Sequence, residues 1–545
     1  MSMNSELGYM DRQEEQSNTR TGRNIAPPQP ENWTHKQISS LQKLFNPSVF
    51  KDLITPDDII QPEIQPEVEP EVQTEVQSDL QPVIHPDEGV SAPASLINNG
   101  VDTFGQEAGL NTRDPSSALF QRTSQVIHLT LSLDMFVASE VPTQASFFYF
   151  TEEVDSPFLS PFDHLNWRRI KMFIAQLGAK EVSVAKSIMA IQALYRAQVD
   201  RLSTAHAMSL YQAAITSFKS ILGNDIIDFH IILIYTFLLC LFELTLPNQD
   251  SPTFNGSDAV FLERLEGWLL NDPQSPVALR ICTWLQLLDT AAKRGGSPSL
   301  LPDPVFNSLS NHISEAPSLS PLNYDIDPGN ALYDTISAPF FTFYLKLQRI
   351  SNQVADVSHY RRSRTTVADQ AEVNDILTGL KDNIYSLWET RPGPLRLVPR
   401  ELREHFHYAI ADPLVSLTGV YLAAYFAEFI VIGRTLGDPP FPSAEAREAM
   451  KQIRIIIEGD WNSFSGEVLN PGYLRPLFLY GIESFEKEET QWAADRLRQI
   501  RNPICRSTFF ASFIESHGEA QRSQRRRVTM KYFCYQTFGV PLPFM

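Results

Sequence analysis

The side chains that could do chemistry in this chain are scattered acids, histidines and four cysteines, and their spacing argues against most reactions. Asn224-Asp225 followed by Asp228 comes nearest to the clustered carboxylates that hold magnesium against a diphosphate, but Ile232 stands where a further acidic ligand would fall. Asp57-Asp58 is the other acidic pair, and it sits in a polar tail. In the segment ELREHFH, Glu401 and His405 share a helix face at i,i+4 and have the spacing of two metal ligands, while His407 falls off that face. With no third ligand, the segment reads as an exposed, salt-bridged surface. His230 precedes an apolar run and reads as a satisfied histidine at a helix start. Cys240, Cys282, Cys505 and Cys534 are far apart, so neither a zinc site nor a disulfide framework is indicated, and a reducing compartment is the simpler inference. The motifs GxSxG, GxxxxGK[ST], HExxH and paired CxxC are absent. No catalytic, cofactor-binding or metal-ligating residue is therefore assigned, and the chain is read as a non-enzyme.

The elements that carry these residues read as helices. Val184, Ile188, Ile191, Leu194 and Tyr195 recur at three- and four-residue steps, as do Leu210, Ala214, Phe218, Ile221 and Leu222. Ser275 and Pro276 open a third helix, with Leu279, Cys282, Leu285 and Leu288 on its inner face. Lys293, Arg294 and Gly295 close it. Asp412-Pro413 starts another, through Leu417, Val420, Tyr421, Ala424 and Ile430 to Gly437 and Pro439-Pro440; Ser443 begins the next, with Ala446, Met450, Ile453 and Ile457 on one side. The run Ile231 to Phe242 is too short to span a bilayer and reads as a buried core helix, so no membrane partner is expected. Hairpin signals are missing after Phe120. The expectation is an all-α fold, a large helical body at 120–545 in two packed halves, divided by a Pro/Ser/Asn-rich surface connection from Ser297 to Asp334.

Residues 1–119 read differently. The opening MSMNSELGYMDRQEEQSN lacks the charged and apolar regions of an export signal. From Asp52 to Glu107 there is no lysine or arginine, and this stretch carries most of the formal charge of -19. An apolar residue returns every fourth position, at Ile64, Val68, Val72, Val76, Leu80 and Ile84. Such a segment cannot bury enough to fold alone, so a disordered acidic N-terminal region is expected. The composition suits an activation or docking segment, with Val68, Val72, Val76 and Leu80 as partner-docking residues, and equally a solvated linker. An acidic chain is repelled by nucleic-acid phosphates, and the one compact basic cluster, Arg522, Arg525, Arg526 and Arg527, reads as a solvated helix surface.

The order of the elements resembles the fungal-specific transcription factor domain, the regulatory domain of fungal zinc-cluster regulators. Leu210-Tyr211-Gln212-Ala213-Ala214-Ile215 is similar to the family's tyrosine-glutamine-x-alanine helix, and an apolar run ending in Phe242-Glu243 follows it. Asn255-Gly256-Ser257 with Val260-Phe261-Leu262 is similar to its glycine-containing helix start, without the tryptophan and histidine often found ahead of it. The segments Ile281 to Gly296, Leu380 to Pro394 with Trp388, and Leu417 to Arg434 fit the same order, and the resemblance spans roughly Phe120 to the C-terminus.

The resemblance implies a nuclear transcriptional regulator whose helical body controls activity or dimerisation, in a family that often governs metabolic pathways. The DNA contact of that family comes from a zinc cluster built on six close cysteines, and none precedes Phe120, so direct DNA binding is not carried over. The expected partners are the transcription machinery or a DNA-binding protein, with homodimerisation a further expectation. A helical enzyme with a scattered site and a zinc-cluster activator shortened at its N-terminus are the alternatives that the residues leave open.

Overall fold

The computed structural model describes residues 147–540, apart from short stretches within 247–257 and at 272–274, 320–327, 360–365, 436–440 and 460–467. The tail with Val68, Val72, Val76 and Leu80, and the expected boundary near residue 120, lie outside the described residues. Among those described, seventeen α-helices and no strand are found, so the body is all-α.

The first half contains α1 (Phe148–Glu152), α2 (Ser160–Gly178), α3 (Val182–Val199), α4 (Ala205–Leu222), α5 (Phe229–Thr245), α6 (Asp258–Asn271), α7 (Pro276–Arg294) and α8 (Asp303–His312). A long α9 (Pro328–His359) follows, then α10 (Val367–Glu389), α11 (Pro399–His405), α12 (Tyr408–Thr435), α13 (Ala444–Glu458), α14 (Leu474–Glu483), α15 (Lys487–Arg498), α16 (Ser507–Gln524) and α17 (Met530–Phe538).

Burial follows the apolar patterning. Helix α5 is apolar all round because α3, α4 and α7 cover it on several sides, and nearly every residue from Ile232 to Thr245 is buried. At the centre of this half Trp167, Phe237 and Trp284 meet at ring separations of 5.6–6.2 Å, in tilted and edge-to-face pairs. Ser275 caps α7 by accepting from the Ala278 amide at 3.2 Å, Pro276 occupies its first turn, and Gly295 closes it. Ser443 caps α13 in the same way, through Ala446 at 3.1 Å, and Ala446, Met450, Ile453 and Ile457 are buried as expected.

In the second half α12 is central, packed by α9, α11, α13 and α14. It is the described helix long and apolar enough to cross a membrane, yet 83% of its most apolar window is buried inside the body. Its apolarity is thus that of a core helix. Helix α9 packs on α7 on one side and on α12 on the other, and so ties the halves into one compact unit.

Four expectations need correction. In the described part of the stretch from Ser297 to Asp334 the chain is no surface loop: it forms α8, buries Leu301, Val305, Leu309 and Leu319, and resumes in α9 with the fully buried Asp334, while residues 320–327 lie outside the described residues. Arginines draw it inward, with Arg280 donating to the Pro317 carbonyl at 2.6 Å and Arg169 to that of Leu319 at 2.7 Å. Helix α12 begins at Tyr408, so Pro413 lies inside it, more than one turn in, rather than at its start, and the helix runs on without the hydrogen bond that an amide at 413 would make. The inner face of α4 is centred on Ala207, Tyr211, Ala214 and Phe218, while Leu210, Ile221 and, on α7, Leu279 are only half-buried. Finally, Arg527 leaves the exposed cluster: it is buried, donates to the Glu483 carboxylate and to the Gly433 carbonyl at 3.2 Å, and pins the chain after α16 to α12 and α14. Arg522, Arg525 and Arg526 lie on or just beyond the end of α16.

Candidate functional site

Several buried polar networks occupy the core, and each joins distant segments. At a kink in α2, Asp163 leaves helical geometry. Its Oδ2 accepts from Arg280 Nη1 at 3.0 Å and Trp284 Nε1 at 3.1 Å, and its Oδ1 from Asn166 Nδ2 at 3.0 Å. The Asn166 amide reaches on to Asp334 at 2.9 Å. Burial raises the Asp163 carboxyl above its ordinary value, opposed by Arg280. A second knot joins α4, α5 and the following turn: Tyr211 donates to Glu243 Oε1, which also accepts from the Thr253 amide and hydroxyl, both at 2.7 Å. Tyr211 and Phe242 stack at 4.3 Å above it. In α7, Asp289 accepts from the Leu301 amide at 3.0 Å and from Asn352 of α9 at 3.3 Å; burial pushes its carboxyl up to about 6.

The residues with chemical potential in the sequence fall into structural roles. Asp228 caps α5 through the His230 amide at 2.9 Å, and the His230 ring meets Ser275 Oγ at 2.5 Å. Asp225 and Asp228 border a surface recess with Arg264, whose guanidinium donates to the carbonyls of Leu222, Asn224 and Ile227 at 2.6–3.0 Å. In that recess the guanidinium of Arg264 is turned to the backbone of the loop. Glu401 accepts from the Val398 amide at 2.9 Å as the first-turn acid of α11, and His405 is exposed. The four cysteines are all free and buried, and among the described residues no group of three or more histidines, cysteines and acids is placed to hold a metal ion.

What the sequence did not single out is a cleft between the halves. The space in it that water can occupy is about 40 Å³. Helix α7 supplies Leu287, Ala291 and Arg294, α9 supplies Tyr344 and Gln348, and α14 with the turn before it supplies Gly472, Leu474 and Arg475. The turn Pro471–Tyr473 comes close because Gly472 has no side chain: a Cβ there would lie 2.5 Å from Val420 Cγ1. Tyr344 is clamped between rings, stacked on Phe162 at 4.5 Å and on Tyr421 at 4.6 Å. Arg475 is bidentate to Glu428 of α12 at 2.7 and 3.2 Å. Arg294 donates to Gln348 Oε1. That bond fixes the orientation of the amide, and Gln348 Nε2, buried, makes no hydrogen bond. Desolvation, then the like charge of Arg475, pull the Arg294 guanidinium down to about 10.

Lys293 and Arg294 were readable as cations answering the helix dipole. Both instead reach across helices, Lys293 to Asp303 at 3.5 Å and Asp356 at 3.4 Å, Arg294 to Gln348. The signal that could have found the cleft is a polar residue at a core-phase position, such as Glu428 within AEFIVIG or Gln348 within YLKLQRI.

No protein-family model, no curated protein and no solved structure matches this chain.

Proposed function

We propose that the chain is a nuclear transcriptional regulator or co-regulator that works through protein contacts and carries no active site of its own. The acidic segment from Asp52 to Glu107 is its docking or activation arm, with Val68, Val72, Val76 and Leu80 as the residues that enter a partner groove. The helical body is the regulatory module, and promoter recognition comes from a DNA-binding partner protein or through the transcription machinery. A metabolic pathway is the expected target, and self-association of the body is a second interaction on this reading.

One observation supports it above the others. The segments that resemble the fungal regulatory domain hold one another in place. The tyrosine-glutamine-x-alanine helix and the Phe242-Glu243 end of the apolar run are joined through Tyr211 and Glu243, and Thr253 brings in the turn of Gly256. Gly256 itself takes φ 75°, a conformation suited to glycine. Likewise Trp388, in the segment from Leu380 to Pro394, stacks on Tyr425 of α12 at 4.2 Å, and the Arg391 guanidinium lies over the Trp388 ring, 4.1 Å from its centroid. Pieces that are weak singly thus form mutual packing units, as a shared regulatory fold requires.

The test tethers the full chain to a foreign DNA-binding domain upstream of a reporter. Changing Val68, Val72, Val76 and Leu80 together to serine is expected to lower output severalfold at equal protein level. Output that does not change with the fourfold substitution removes the docking role of these residues and, with it, this reading.

A further inference from the structure

From Ala520 to Met545 the chain has no Asp or Glu, although acids outnumber bases 64 to 45 over the whole sequence, and Arg522, Arg525, Arg526, Arg527 and Lys531 all stand there. The fold sorts these cations. Arg527 turns inward onto Glu483 and Gly433, and Arg522 pairs with Glu519 at 3.1 Å. Arg525, Arg526 and Lys531 are left exposed, and among the described residues none of the three pairs with a carboxylate; Arg526 donates to Gln524 at 3.1 Å. The backbone that carries them is fixed: the Arg526 amide donates to the Gln521 carbonyl at 3.3 Å, the Val528 amide to Gln521 Oε1 at 3.2 Å, and His517 Nε2 meets the Val528 carbonyl at 2.9 Å. Helix α17 then seats Phe533 and Phe538 on Phe513 at 5.6 and 5.9 Å, with Cys534 buried beneath. Its other face is bare. Lys531, Tyr532, Tyr535 and Gln536 are exposed, the tyrosines at 64% and 68%, and spacings of three and four residues put them on one side of the helix. Two neighbouring tyrosines this open are more than the single stray apolar residue that any surface carries.

We propose that this face, Tyr532 and Tyr535 flanked by Arg525, Arg526 and Lys531, docks a short acidic peptide segment of a partner protein, in which Asp or Glu is interspersed with apolar side chains. The two guanidiniums and the ammonium take the carboxylates, and the tyrosine rings take the apolar residues between them. Helix α17 has nine residues and is about 13.5 Å long, so the seat holds about four extended residues, the length of a short linear motif. Charge selects this occupant over denser anions. A nucleic-acid duplex carries one charge per about 1.7 Å and would meet the whole chain's formal charge of -19, which three free cations do not offset. A peptide with a few spaced carboxylates feels mainly the cations within a Debye length, about 8–10 Å in ordinary buffers. Because the turn and the helix are already held in place, little ordering on this side opposes binding. The proposal concerns the C-terminal face of the body, so it is decided separately from the reporter experiment, which reads Val68, Val72, Val76 and Leu80.

The experiment titrates the purified full chain into a fluorescent peptide of Glu-Glu-Leu repeats, about twelve residues long, and reads anisotropy. The comparison probes are a Glu-Glu-Ser peptide of the same length, a single-stranded oligonucleotide and phosphatidylserine vesicles. The Glu-Glu-Leu peptide is expected to bind saturably with one site per chain, and severalfold more weakly as salt rises from ~50 to ~200 mM. The serine peptide should bind at least about 5-fold more weakly, because the tyrosines lose their apolar partners. Arg525→Glu, Arg526→Glu and Lys531→Glu together are expected to weaken binding at least about 10-fold, and Tyr532→Ser with Tyr535→Ser roughly 10-fold. Lys180→Glu, Lys219→Glu and Lys451→Glu, exposed lysines elsewhere that change the net charge equally, should leave it within about 2-fold. No saturable binding of the Glu-Glu-Leu peptide, undiminished binding by either variant of the face, an equal loss in the control lysine variant, or tighter binding of the oligonucleotide or the vesicles would each overturn the proposal. Should a variant fail to fold, the salt series and the serine peptide on the unchanged protein decide.

Discussion

Replacing Asp163 by asparagine tests how the first half is held together. Arg280 is 0% exposed, and among the described residues its ion-pair partner is Asp163 Oδ2 at 3.0 Å. The same oxygen serves Trp284, while the other accepts from Asn166. Asparagine offers one acceptor and one donor, so it cannot satisfy three donors, and one amide group must face another donor. The buried guanidinium also loses its countercharge. Removing one member of a buried pair typically costs 3–5 kcal/mol. Two features place the expected loss near the low end: Arg280 keeps its bond to the Pro317 carbonyl at 2.6 Å and its seat over the Phe341 ring at 4.6 Å. Asp334, which already acts on Asp163, also supplies residual negative potential. We expect a loss of about 3 kcal/mol for Asp163→Asn, a fall in Tm of several degrees in a body of this size. Urea unfolding is followed by circular dichroism and by tryptophan fluorescence, because Trp167 and Trp284 sit at the site and report its local opening. The companion is Arg280→Met, alone and with Asp163→Asn. The double variant should recover to within about 1 kcal/mol of the unchanged protein, since with Arg280 also replaced no buried charge is left stranded. A loss below about 1 kcal/mol for Asp163→Asn would refute the reasoning, because it would mean that the guanidinium does not depend on this carboxylate.

Two further outcomes follow from other parts of the core. The Asp289 carboxyl has a folded-state value of about 6 against an ordinary 3.8, so it favours folding fully below the lower value, and that contribution is lost as pH rises through the higher one. Asp289→Asn should therefore gain stability relative to the unchanged protein by roughly 3 kcal/mol between pH ~4 and ~7; parallel urea curves across that range would count against it. Gly472→Ala should destabilise by about 1–3 kcal/mol, since its Cβ would meet Val420 Cγ1 at 2.5 Å and Pro161 Cβ at 3.0 Å. Adding Val420→Ala should relieve part of that overlap, and purely additive losses on melting would show that the turn is free to move.

Local information in the chain was enough for the helices themselves. The caps at Ser275 and Ser443, the inner faces of α3 and α13, and the burial of the apolar run in α5 depend on nearest-neighbour periodicity and on which residues can bond a free amide at a helix start. The all-α class followed from the same signals. Where the reading went astray, a distant residue had intervened: Arg280 and Arg169 drew the 297–334 connection inward, and Glu483 took Arg527 out of a surface cluster. The cleft is the extreme case. Arg294, Gln348 and Arg475 are brought to one wall by α7, α9 and α14, and a short stretch around each reads only as a polar residue on a helix. Periodicity reports most of the buried face of a helix, because the apolar stripe is written in that helix's own sequence. Which charges then meet depends on how helices far apart in sequence pack, and only the tertiary structure decides that.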